Sequence, residues 1–138
     1  MGIQAVLATS LVHLFPPKYF EQASVLIDEV LALSPENILC LMGRAYIYQA
    51  KGEWNDAELL FCRITQLLPD DLDIGLRARE ERAWCQCQMN DFDNGLSGLQ
   101  SVIISLNHIY ERNSDVSRCL WRLGSSHWRL GGMYAHLV

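Results

Sequence analysis

Two prolines, Pro35 and Pro69, stand one 34-residue step apart, and sliding the chain along itself by that step lays Phe20 on Trp54, Ala23 on Ala57, Ile27 on Phe61 and Val30 on Ile64. Each pair keeps its physical type: aromatic, small, large apolar and β-branched. A period of this length constrains the fold more than any composition figure. A unit of 34 residues cannot bury its apolar face alone and must stack on its neighbours.

Within the period the spacing predicts helices. From Phe20 to Ser34, apolar residues at Ala23, Val25, Leu26, Ile27, Val30, Leu31 and Leu33 make a broad helical stripe that Pro35 stops. Trp54 to Leu68 repeats it with Ala57, Leu59, Leu60, Phe61, Ile64, Leu67 and Leu68, and stops at Pro69. Between them Ile38–Ala50 is a third helix, with Asn37 as N-cap and Gly52 supplying positive φ for a tight turn. Antiparallel helix hairpins follow.

In this second unit, Ala45, Tyr48, Gly52, Trp54, Ala57, Phe61 and Pro69 stand in the order small, aromatic, glycine, aromatic, small, aromatic, proline. The pattern resembles the tetratricopeptide repeat. The resemblance implies an all-α, right-handed superhelical solenoid of antiparallel helix hairpins. Ala45 and Ala57 let the paired helices approach, Tyr48 and Phe61 fill the space beside them, and Pro69 ends the second helix. Arg44 departs from the family's leucine, although Met42 and Gly43 could satisfy a helix displaced by about one residue.

A third unit follows with a longer step: Trp54 recurs as Phe92, Ala57 as Gly95, Phe61 as Leu99 and Ile64 as Val102, each 38 residues on. Four residues are about one helical turn. The expectation is therefore a first helix from Leu72 to Gln88, lengthened by a turn and opened by Asp70, Asp71 and Asp73, then a second from Phe92 to Tyr110. After a polar break at Glu111 to Asp115, Leu120 to Gly131 begins a fourth unit, and Gly132 to Val138 are too few for its partner helix. The units run at approximately 4–35, 36–71, 72–110 and 115–138, about seven helices in three repeats and a half. The first is the least regular, a short helix from Gln4 to Phe15 ended by Pro16 and Pro17. Neither end has a polar capping helix, which points to a segment of a longer array, with dimerisation through an exposed end as the alternative.

Composition narrows the function. The formal net charge is −5, but residues 1–73 hold 4 basic and 10 acidic side chains while residues 74–138 hold 7 and 6, and those seven are all arginines. No stretch reaches the roughly 18 uninterrupted apolar residues of a membrane span. The Met1 to Phe15 stretch lacks the basic residues of a secretory signal, and Val6 stands where myristoylation requires Ser or Thr. Cys40, Cys62, Cys85, Cys87 and Cys119 are odd in number and irregular in spacing, which reads as reduced packing thiols in the cytoplasm or nucleus. Cys85 and Cys87 point about 200° apart around a helix and cannot chelate one ion. Among His13, His108, His127 and His136 no pair shares a helix face with a nearby carboxylate or cysteine at ligand spacing. The acidic pairs Asp70–Asp71, Glu80–Glu81 and Asp91–Asp93 read as helix starts or solvated faces. No nucleophile and base can be assembled, so no enzyme, cofactor or metal is expected.

In the tetratricopeptide family the first helix of each repeat lines a concave groove. Carried over by position, the groove is Leu39, Met42, Tyr46 and Gln49, then Arg77, Glu80, Trp84 and Gln88, then Arg118, Trp121, Arg122, Trp128 and Arg129. Arg and Trp are enriched at interaction hot spots. Trp84 and Trp121 have a second reading, as packing residues between helices. The lysines and asparagines of chaperone-binding members are absent here.

The stretches MGRAYIYQAKGEWNDAELLF, PDDLDIGLRAREERAWCQCQ and SRCLWRLGSSHW resemble the fungal family of large tetratricopeptide scaffold subunits of the superkiller complex. That resemblance implies a non-catalytic scaffold in a cytoplasmic helicase assembly that feeds RNA to the exosome for 3′ to 5′ decay, with a helicase and a propeller-fold subunit as partners. A second reading is direct RNA contact through the Arg- and Trp-rich second half. An all-α enzyme is the remote third.

Overall fold

The computed structural model describes residues 2–14, 16–112 and 117–137, without the side chains of 112, 117–123 and 136–137. Among the described residues the chain is seven helices and no strand: α1 (Gly2–His13), α2 (Phe20–Leu33), α3 (Ile38–Ala50), α4 (Trp54–Leu67), α5 (Ile74–Gln88), α6 (Phe92–Arg112) and α7 (Ser117–Leu137). Each helix packs on the next, and α1 also packs on α3 and α5 on α7. Short connections make neighbours antiparallel, so the molecule is a stack of helix hairpins, an α-helical solenoid.

Helix ends follow from local chemistry. Asn37 accepts a hydrogen bond from the Cys40 amide at 3.1 Å and caps α3. Of the three aspartates before α5, Asp71 does the capping: its Oδ2 accepts from the Gly75 amide at 2.8 Å and the Asp73 amide at 3.2 Å. The ends of α3 and α5 are the same turn written with different residues. Gly52 at φ 75° and Asn90 at φ 64° take the left-handed position. The following amides, Glu53 and Asp91, reach back to the carbonyls of Tyr48 and Gln86, each at 2.9 Å, which is a Schellman closure. Asn tolerates this region better than other side-chain-bearing residues.

The signature residues of the second hairpin meet in one core. Ala45, Ala57, Phe61 and Ile64 are fully buried, with Leu41, Met42, Ala78 and Cys85, and Tyr48 and Trp54 pack over them. Burying a side chain such as Phe61 contributes about 2 kcal/mol. Arg44 stays out of this core by pairing with Asp28 on α2. Gly43 lies beneath it, where a Cβ would stand 3.3 Å from Ile27 Cδ1. A second cluster joins α1, α2 and α3 through Ala5, Ala8, Val12, Ala23, Ile27, Val30, Cys40 and Ile47. Two smaller ones join α5, α6 and α7.

Three sequence expectations change. The four-residue insertion before the third hairpin is not one added turn of helix: α5 has 15 residues against 13 in α3, and the connection before it lengthens equally, from 34–37 to 68–73. Helix α5 therefore begins at Ile74, with Leu72 exposed before it. The second change is that α7 runs on through Gly131 and Gly132 to Leu137, because a helix tolerates glycine at a cost of about 1 kcal/mol each. The third concerns Glu80 and Glu81, expected on a solvated face, which are only 5% and 7% exposed.

A candidate partner-binding groove

Helices α1, α3, α5 and α7 share one side of the stack, and two adjoining cavities open there, of about 290 and 330 Å³. His13, Tyr46 and Arg129 line both. The first adds Trp84, Gln49 and Trp54; the second adds Arg77, Glu80, Glu81 and Ser125. Residues from positions 12 to 129 are thus gathered by the stacking of first helices.

Arg129 is the centre of the groove. Its Nη1 donates to Glu80 Oε2 and to Glu81 Oε1, both at 2.8 Å, and its guanidinium lies over the Trp84 ring, 4.9 Å from the centroid. Ser126, one turn before Arg129, donates to Glu80 Oε1. Gln49 Nε2, from α3, donates to Glu81 Oε2 at 3.0 Å. Burial works against the charged guanidinium. The charge of Glu81, its hydrogen bond and the charge of Glu80 outweigh it, so the Arg129 pKa is raised. A planar guanidinium can serve two carboxylates in plane and an indole across its face, which a lysine cannot.

Beside this cluster, Tyr46 is held edge-on between His13 at 5.0 Å and Phe61 at 5.7 Å. Desolvation and then the nearby Arg77 charge hold the His13 pKa below its ordinary 6.5. Burial raises the Cys85 thiol to about 11 despite a hydrogen bond from Gln49, so Cys85 is a packing thiol and no nucleophile. Among the described residues no three His, Cys, Asp or Glu side chains gather as a metal site, and no helix is long and apolar enough to cross a membrane.

Of the residues assigned to the groove by position, Tyr46, Gln49, Arg77, Glu80, Trp84 and Arg129 come together there. Met42 does not: it is 4% exposed, inside the core of the second hairpin. Leu39 is at the surface, and Gln88 is half-buried outside both cavities. Trp128 is 77% exposed and turned away from the groove, since α7 directs Ser125, Ser126 and Arg129 inward. The side chains of Arg118, Trp121 and Arg122 lie outside the described residues. Sequence reasoning missed Glu81, Ser126 and His13 as groove groups. A signal for Glu81 existed: the small and apolar residues Ala78, Ala83, Cys85 and Cys87 spread around α5, the mark of a helix buried on every side.

No family model matches the chain. The chain is 29% identical over 117 residues to Superkiller protein 3 of Saccharomyces cerevisiae, a match that covers 84% of this chain and 8% of that protein. The chain thus spans less than a tenth of the length of the curated relative it matches.

Proposed function

We propose that the chain is a non-catalytic interaction scaffold whose groove receives a segment of another protein. The observation that supports this most directly is Arg129, fixed by Glu80 and Glu81 over the face of Trp84 at the bottom of a concave surface. A cation and an aromatic already locked in place lose little freedom when a partner arrives. The finer reading extends the similarity to Superkiller protein 3. The chain acts as a tetratricopeptide-type segment of about three and a half units inside a longer array. Its assembly is a cytoplasmic superkiller-type complex that holds a helicase and a propeller-fold subunit and serves 3′ to 5′ RNA decay.

Direct RNA contact is the competing reading. Arg129 is paired with Glu80 and Glu81 inside the groove, which removes one of the arginines that motivated it. Co-purification separates the two. The tagged chain is expected to retain the superkiller helicase or propeller subunit of its own organism, and Trp84→Ala is expected to lose it while remaining folded by circular dichroism. Undiminished retention by Trp84→Ala removes the groove from the reading. Retention of neither subunit removes these partners, and steeply salt-dependent binding of single-stranded RNA favours the competitor.

A further inference from the structure

On the face of α5 turned away from the groove, about half a turn around the helix, Arg79, Arg82 and Gln86 form a stripe at spacings of three and four residues. Opposite them α6 sets Asn94, Ser97 and Ser101 at the same spacing, and the six line a cavity of about 340 Å³. The seam between the helices is narrow at its floor. A Cβ on Gly98 would stand 2.8 Å from Ala83 Cβ.

Packing of a helix hairpin does not require this polarity. At the offset of 38 residues that lays Trp54 on Phe92, the corresponding positions in the second hairpin are Leu41, Arg44, Tyr48, Asp56, Leu59 and Arg63, with Leu60 in place of Gly98. There Leu41 is buried and Tyr48 and Leu60 pack on the core, so the seam is filled. In the third hairpin Gly98 lets the helices close at the floor, while serine and amide side chains leave the mouth open and lined with donors.

Asn94 Nδ2 already donates to Asp91 Oδ2 at 2.9 Å, but the two guanidiniums are mostly uncommitted. Arg79 uses Nη2 on Ser101 Oγ at 2.9 Å, and Arg82 uses Nε on Glu58 Oε1 at 2.9 Å. Among the described residues the other nitrogens of both guanidiniums have no hydrogen-bond partner, and Arg79 has no carboxylate within ion-pair distance. Glu58 steers Arg82 from one side without occupying its Nη groups.

We propose that this seam binds a phosphomonoester, presented on a phosphorylated side chain of a partner protein. Two guanidiniums one helical turn apart, flanked by hydroxyls and amides, match a compact dianion with several acceptor oxygens. A polynucleotide fits less well. It needs a continuing cationic track and aromatic faces, whereas the lining holds no aromatic residue and Glu58 and Asp91 flank it. The site is independent of the groove and of any partner held there.

The test is an NMR titration of the 138-residue chain with four probes: a phosphoserine peptide with neutral flanks, its unphosphorylated twin, inorganic phosphate and a single-stranded RNA oligonucleotide. The phosphopeptide and inorganic phosphate are expected to shift the Ser97, Gly98 and Ser101 amides and the Arg79 and Arg82 Nε–H signals saturably, and the twin is expected to shift none. Arg79→Gln should weaken phosphopeptide binding by about tenfold or more. Ser97→Leu, which places the second hairpin's residue at the mouth and keeps both arginines, should abolish it. Both variants are checked for an otherwise unchanged spectrum. Unaltered phosphopeptide binding by the two variants overturns the proposal. Equal binding of the twin overturns it too, as does response to inorganic phosphate alone, or tighter binding of RNA on the same signals.

Discussion

The Arg129 guanidinium lies over the Trp84 ring, 4.9 Å from its centroid, and ties the last helix of the stack to α5 through an aromatic face as well as through two carboxylates. The carboxylates hold the guanidinium in one plane and the indole covers its face. A contact of this kind contributes about 0.5–2 kcal/mol, depending on desolvation. It also makes Trp84 both a packing residue and part of the groove surface, so the two readings of that tryptophan are not exclusive.

Removing the cation should cost more than the contact itself. Arg129→Ala leaves Glu80 and Glu81, whose side chains are 7% and 9% exposed, without their guanidinium. A loss of about 3 kcal/mol is expected in urea denaturation, read as a lower midpoint at unchanged slope. Arg129→Met combined with Glu80→Gln and Glu81→Gln should recover most of it, because no buried charge is then left uncompensated.

Acid should destabilise the stack through His13. Its folded pKa lies below 6.5, by desolvation first and the Arg77 charge second, so the unfolded chain binds the proton more tightly. Stability is therefore full above pH 6.5 and falls as pH drops from there through the folded value. His13→Asn should remove this component from stability curves taken between about pH 7 and 5, and Arg77→Gln should shrink it.

Glycine positions should respond oppositely to alanine. Gly95, which takes the place of Ala57 one unit on, has no room: a Cβ would stand 2.4 Å from Cys87 Sγ and 3.0 Å from the Ala83 carbonyl oxygen. Gly95→Ala should lower stability by about 2 kcal/mol through overpacking. Gly124 and Gly131 meet nothing within 4 Å in α7. There alanine should raise stability by about 0.5–1 kcal/mol, measured as an increase in Tm.

The two Schellman turns offer a matched pair. Gly52→Ala and Asn90→Ala each force a Cβ into the left-handed region without the local hydrogen bonding an Asn can make, and each should cost about 1 kcal/mol. Asn90→Gly should be neutral or mildly stabilising. An Asn90→Ala chain as stable as the parent in urea would show that the turn relaxes in solution.

Much of the fold was legible because its causes are local. Pro35 and Pro69 end helices wherever they stand, Asn37 caps the amide three residues on, and Gly52 marks a positive φ. Asn90 was not recognised as its counterpart because asparagine serves equally well in caps and loops. The length of α7 is hidden for the converse reason: Gly132 to Leu137 read as a remainder too short for a partner helix, yet they continue α7, because glycine weakens a helix without ending it.

The groove was legible only in part. Position within the repeat placed Tyr46, Gln49, Arg77, Glu80, Trp84 and Arg129 on one surface, but the same rule put Met42 there, which the core claims, and Trp128, which faces solvent. Helix rotation of a few tens of degrees decides such cases, and it is set by packing against neighbours that a single helix does not contain.

By itself the sequence determined the helices, their order and their stacking into hairpins, since a 34-residue apolar period with proline stops has no other way to bury its stripe. Tertiary structure alone decided that Glu80 and Glu81 are buried and that Arg129, 48 and 49 residues further along the chain, neutralises them over the face of Trp84. A charge pair across that separation leaves no periodic trace. Its energy depends on desolvation, which exists only once α5 is enclosed by α4, α6 and α7.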